Sequence, residues 1–225
     1  MAARKKQAVP AVRRKARRTR AHGEESRRRI LDAAAEIASE RGYDGTSIAL
    51  VSERSGLPAS SIYWHFEDKD HLIAAVIESS FDRFLRGASA WAPPKAGADR
   101  RELFSTAIRR TAKALADAPD FIRLGLMLAL ERRPEEATAR TMFLQVRAQA
   151  YKQVLASCEA FFAGEVDVTG VRALATLAMA SADGLFIAHE IDDGVDLPAA
   201  FELFAVAILG AADHLISRSN RSKKR

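Results

Sequence analysis

Cysteine is almost missing from this chain. Cys158 stands alone, so no internal disulfide can form, and no Cys/His cluster has the spacing that would hold zinc or another metal. A reducing, cytoplasmic setting fits that usage. Aromatic residues make up only 7% of the chain, and strand-forming runs of Val, Ile, Thr and Tyr are lacking. Ala and Leu recur throughout instead, which predicts an all-α protein. No run of about 18 uncharged apolar residues occurs. The longest candidates are broken by Arg123, by Arg172 and Asp183, and by Asp213. The basic N-terminus is followed by no apolar signal core, so a soluble protein is expected. Also absent are a glycine-rich phosphate loop, a Ser/His/Asp set near a strand–turn–helix, and His/Glu metal spacing. The five histidines are scattered, and Asp183 and His189 stand six residues apart, off a common helix face. These gaps argue against an enzyme. No catalytic residue, metal ligand or cofactor is expected.

Charge is present but segregated. Residues 1–23 hold nine basic residues and no acid, and residues 218–225 hold five more with no acid. The stretch between carries 21 basic residues against 29 acidic ones. A body with net negative charge and two cationic ends is the pattern of arms that meet a polyanion. Residues 1–23 have almost no large apolar side chain and read as a disordered basic arm. Residues 218–225 read as a basic tail.

From Glu24 the pattern becomes helical. Ile30, Ala33, Ala34, Ile37 and Ala38 recur on one face, and Gly42 can close that helix in a left-handed turn. A short helix over about 46–55 is capped by Thr46 or Ser47 and stopped by Gly56. Pro58 opens a third, over Ala59–His65. Asp68 caps a fourth, with Leu72, Ile73, Val76, Ile77, Phe81, Phe84 and Leu85 on its apolar side. Residues 91–97 read as a linker. Further helices are predicted over 103–116, 121–131, 135–163, 168–190 and 198–217.

Two short helices joined through a glycine-containing turn have the dimensions of a helix-turn-helix, whose second helix enters the major groove. Ala59, Ser60 and Ser61 are small enough for close approach to base edges. Tyr63, Trp64 and His65 end in polar hydrogens that can reach phosphate. Thr46 and Ser47 stand at a helix N-terminus that attracts phosphate, and Lys69 adds charge nearby.

Several segments together resemble the tetracycline-repressor-like (TetR/AcrR) family of bacterial regulators. They are Ile30-Leu-Asp-Ala-Ala-Ala35, Gly42-Tyr-Asp-Gly-Thr-Ser47, Gly56 with Ser61-Ile-Tyr-Trp-His-Phe66, and Lys69-Asp-His-Leu72. The resemblance implies a three-helix headpiece over 24–70 and a ligand-binding and dimerisation domain over 71–217, a helical bundle of about six helices. It implies that Ala59, Ser60, Ser61 and Tyr63 face bases. Thr46, Ser47, Trp64, His65 and Lys69 would then face phosphates. The stretch 24–72 holds ten acids against six bases. The arm, including Arg18 and Arg20, is therefore expected to follow the backbone or the minor groove.

A motif this small needs two copies on a pseudo-palindrome, so a homodimer is expected. The last two helices are its expected interface, through Leu174, Ala178, Ala182, Leu185, Phe186, Phe204, Ile208, Ala211 and Leu215. The resemblance also implies an effector pocket among the C-terminal helices. By size and softness its candidates are Trp91, Phe104, Phe121, Met127, Phe143, Tyr151, Phe162 and Met179, and their scarcity of charge suits an apolar or amphipathic effector. The function expected is a sequence-specific regulator, a repressor released from operator DNA by a small molecule that pivots the fourth helix. The alternatives are a non-specific architectural DNA-binding protein and a regulator without a small-molecule effector.

Overall fold

A computed structural model of the chain describes residues 11–88, 99–130, 138–162, 164–192 and 194–222. Arm residues 1–10, the linker 91–97 with Trp91, and tail residues 223–225 lie outside the described residues. For Arg18 and Arg20 the backbone alone is described. The described residues form helices α1 (Ala11–Arg41), α2 (Ile48–Ser55), α3 (Ala59–His65), α4 (Lys69–Ala88), α5 (Arg100–Asp117), α6 (Asp120–Leu130), α7 (Thr138–Phe161), α8 (Val168–Ile191) and α9 (Leu197–Ser222), with no strand among them.

Helix α1 departs from the sequence reading. It starts at Ala11 instead of about Glu24, so the arm expected to be disordered is helical from Ala11 onward. Its residues are mostly Ala, Arg and Lys, which lose little on entering a helix. They offer no apolar face, so hydrophobic periodicity could not reveal them. The predicted inner face of α1 is buried, with Ile30, Ala33, Ala34, Ile37 and Ala38 all shielded. Gly42 closes the helix at φ 70°, a left-handed turn that glycine adopts without steric cost.

Short-range chemistry sets the next elements. Ser47 caps α2, its Oγ accepting from the Leu50 amide at 3.3 Å. Gly56 ends α2 at φ 65°, and Pro58 stands immediately before α3. Asp68 accepts from the His71 amide at 2.8 Å, capping the first turn of α4.

The chain divides into two compact units, one up to Val76 and one from Ile77. The sequence boundary stood at residue 70, but α4 runs without a break through both positions. In the first unit α1 packs on α2 and α3, and α2 on α3. In the second, α5 packs on α9, α6 on α7, α7 on α8, and α8 on α9. The second core is phenylalanine-rich: Phe81, Phe104, Phe121, Phe143 and Phe201 are all buried. Each such side chain contributes about 1.5–3 kcal/mol. Ser80, fully buried on α4, donates to the Ala118 carbonyl at 3.3 Å and accepts from the Phe121 amide at 3.1 Å. It thereby ties α4 to the turn between α5 and α6.

Of the residues expected at an interface on α8 and α9, four are closed off within the unit. Leu174, Phe186, Phe204 and Ile208 are buried inside the unit, and Ala178, Ala182, Leu185, Ala211 and Leu215 are half-buried. The open apolar side is a different one. Leu177, Gly184 and Ile187 on α8 are exposed, and so are Leu203 (75%), Val206 (66%) and Gly210 on α9. Added side-chain carbons at Gly184 and Gly210 would meet nothing within 4 Å. By length and composition alone both helices could cross a membrane, with mean hydropathies of 1.4 and 1.7. A helix apolar around most of its circumference gives periodicity little to choose between inward and outward faces.

Candidate functional site

The helix-turn-helix is built from inside out. Ile62 is fully buried and Phe66 nearly so, and together they pin α3 to its unit. Helical geometry then turns Ser60, Tyr63 and Trp64 to the opposite side, since they stand three and four residues apart. Tyr63 is 56% exposed and Trp64 77% exposed. Ala59, Ser61 and His65 sit at the edges of that face, half-buried. The outward surface of α3 is thus a serine hydroxyl flanked by two aromatics with polar tips. Such side chains can donate to bases or phosphates.

Two expected phosphate contacts take other work in the structure. Thr46 is 2% exposed, and its hydroxyl donates to the Gly42 carbonyl at 2.8 Å. It is a peg in the turn, shut off from solvent, while its exposed neighbour Ser47 carries the cap. Lys69 lies 4.2 Å from the centre of the Tyr43 ring and donates to the Tyr43 carbonyl at 3.2 Å. The Tyr43 hydroxyl in turn donates to Asp70 at 3.0 Å. This clamp fixes the start of α4 onto the turn after α1. Sequence reasoning missed it, because no local signal links residues 43 and 69.

The run Arg27-Arg28-Arg29 is likewise occupied. Arg28 pairs with Glu25 at 2.6 Å and Asp32 at 3.0 Å. Arg29 donates to the Ser55 carbonyl at 2.5 Å, at the C-terminal end of α2 where a cation is favoured. The Arg27 guanidinium lies 5.5 Å from the centre of the Phe66 ring. Burial, and then the charge of Arg27, push the His65 pKa below its ordinary value. His65 is therefore a neutral hydrogen-bonding ring in the last turn of α3 at neutral pH.

The second unit encloses a cavity of about 520 Å³. Phe104, Phe121, Phe143 and Met179 line it, as do Phe84 and Leu85 of α4. The other described candidates do not. Met127 is exposed, Tyr151 is half-buried elsewhere, and Phe162 is buried against Phe104 at 6.1 Å between ring centres. Among the lining residues that escaped the sequence reading are two charged ones, Arg147 of α7 and Asp183 of α8. They form a two-pronged ion pair, one prong being Nη1 to Oδ1 at 3.0 Å and the other Nη2 to Oδ2. In the sequence Asp183 figures as a charge interrupting an apolar run and as a residue off a common helix face with His189. Cys158 also lines the cavity, and burial pushes its thiol pKa up to about 11.

Comparison with known proteins agrees with this geometry. The family described as bacterial regulatory proteins, tetR family, matches residues 30–76. The HTH-type transcriptional regulator AcrR of Shigella flexneri is 37% identical over 65 residues, 29% of this chain and 30% of that protein. The HTH-type transcriptional repressor KstR of Mycolicibacterium smegmatis is 29% identical over 160 residues, 71% of this chain and 65% of that protein. The chain thus spans about a third of AcrR and just under two thirds of KstR. Among solved structures, a putative transcriptional regulator from Pseudomonas aeruginosa PAO1 superposes with a TM-score of 0.69 at 15% identity, covering 87% of this chain and 94% of that one. A transcriptional regulator from Aquifex aeolicus VF5 gives a TM-score of 0.62 at 20% identity, covering 81% and 97%. Residues 30–76 of the N-terminal unit are thus similar to the tetR family of bacterial regulatory proteins, and the chain shares its all-helical fold with those solved structures.

Proposed function

We propose that this chain is a sequence-specific DNA-binding transcriptional repressor. In this reading it acts in the cytoplasm as a homodimer and leaves its operator when a small molecule fills the cavity of the second unit. The observation that carries the DNA reading is the surface of α3. Tyr63 and Trp64 are held out in water on a helix whose other side is locked by Ile62 and Phe66. A pair of large exposed aromatics on a rigid seven-residue helix offers contact area at little ordering cost.

Pairing supplies the rest of the affinity. The exposed apolar strip of α8 and α9, small at Gly184 and Gly210, suits a four-helix contact with a second copy. Two α3 helices would then read half-sites about 34–36 Å apart. Release uses α4, which starts in the first unit at Lys69 and brings Phe84, Leu85 and Ala88 to the cavity wall. A ligand acts only through its preference for one of two α4 positions.

The test is selection of bound sequences from a random duplex pool by the full chain. A pseudo-palindromic site should be enriched, and the paired substitutions Ser61→Ala and Tyr63→Ala should abolish the enrichment. A pool that emerges unchanged, or enrichment that survives both substitutions, defeats the reading. The rival of non-specific architectural binding predicts equal affinity for the selected site and random DNA.

A further inference from the structure

The cavity's charge balance points to the class of its ligand, on the effector reading given above. We infer that the cavity of the second unit takes a neutral, largely apolar molecule bearing a hydrogen-bond acceptor such as a ketone, ester or hydroxyl, in preference to an organic anion or cation. Arg147 and Asp183 are the two charged residues among those lining it, and they are already paired. The rest of the lining is apolar or neutral. The Thr111 hydroxyl donates to the Ala107 carbonyl at 3.0 Å, and the Ser157 hydroxyl to the Gln153 carbonyl at 2.8 Å. The single donor hydrogen of each is thereby committed to its own helix. A size of about 520 Å³ suits a drug-sized molecule.

The pair decides the sign. An anion could use Arg147 fully only by displacing Asp183, leaving a carboxylate unpaired in an apolar wall. A cation would strand Arg147 in the same way. A neutral acceptor breaks nothing. A guanidinium has five N–H donors. The fork engages one on each of Nη1 and Nη2, and among the described residues Arg147 meets no acceptor besides Asp183. The spare donors belong to a residue of the cavity wall, where a carbonyl or hydroxyl oxygen can receive them.

The experiment is calorimetry of the full chain, without DNA, against three probes on one skeleton: acetonaphthone, naphthoate and naphthylmethylammonium. The neutral ketone should bind at least about tenfold tighter than either ion. Asp183→Asn should shift the preference to naphthoate, and Arg147→Met to naphthylmethylammonium. Either single variant leaves a charge unpaired. If melting shows such a variant unfolded, the doubly substituted Arg147→Met, Asp183→Asn chain decides, and it should keep the preference for the ketone. An ion that matches the ketone on the unaltered chain overturns the inference. So does a double variant that prefers an ion, a folded single variant with unshifted preference, or no heat from any probe. The random-pool selection is run on the same preparation. Enrichment there alongside a calorimetric failure removes the ligand class and leaves the DNA reading standing.

Discussion

Thr46 and Ser47 are adjacent hydroxyls with opposite duties. Thr46 Oγ1 is sealed against the Gly42 carbonyl, whereas Ser47 is exposed at the start of α2. Thr46→Val should therefore lower stability by about 1 kcal/mol through the lost hydrogen bond. Operator affinity per folded molecule should not change. Ser47→Ala should cost about 1 kcal/mol of cap energy and weaken operator binding as well. Thermal melts paired with binding isotherms separate the two. His65 supplies a pH dependence. Its folded pKa is depressed by burial and by Arg27, so the folded state takes up a proton less readily than the unfolded chain. That contribution to stability is complete above the ordinary histidine pKa and is lost as pH falls through the folded value. Between about pH 7 and about pH 5, the melting temperature should fall more in the parent than in His65→Gln. His71, whose pKa is raised by Asp68, works in the opposite sense. It is common to both proteins and drops out of the comparison.

At the scale of elements, the contrast between α1 and α9 explains what a linear reading can find. Helices with one apolar side announced themselves: the inward residues of α1 and α4 were legible from spacing, and Gly42, Gly56, Pro58 and Asp68 marked the breaks between them. The basic first turns of α1 carry no apolar stripe, and α8 and α9 are apolar around most of their circumference. Period alone thus missed the start of the first and chose the inward side of the other two. The α3 surface was legible because its residue types are unusual together, while the Tyr43–Lys69 clamp and the Arg147–Asp183 pair join distant segments and leave no local trace. A second long-range fit is Gly125 on α6, where an added methyl would overlap the Phe143 ring. Phe143 is buried and lines the cavity. Gly125→Ala should cost about 1–3 kcal/mol by overpacking. It should also weaken acetonaphthone binding by driving the ring into the cavity, and melting with calorimetry reads both effects.

At the scale of the whole molecule, the proposed dimer can be broken without touching α3. Leu203→Glu with Val206→Glu places acids on the exposed strip of α9. Light scattering should then report a monomer. Operator affinity should fall at least about a hundredfold, because two half-sites no longer act together. A dimer that persists with full affinity would move the interface elsewhere. Charge is the other global property. If the arm neutralises about four phosphates per chain, removing residues 2–20 should reduce the slope of log affinity against log salt by about 3.6. An unchanged slope would take the arm out of the mechanism. The partners already held by Arg27, Arg28 and Arg29 give this experiment a practical edge. With those guanidiniums busy inside an acid-rich headpiece, the cations left for the proposed DNA contact are concentrated in residues 4–20, the last part of which begins α1. On the proposed function, a preparation trimmed by a contaminating protease near its beginning should melt like the intact chain yet shift operator DNA only weakly in a gel.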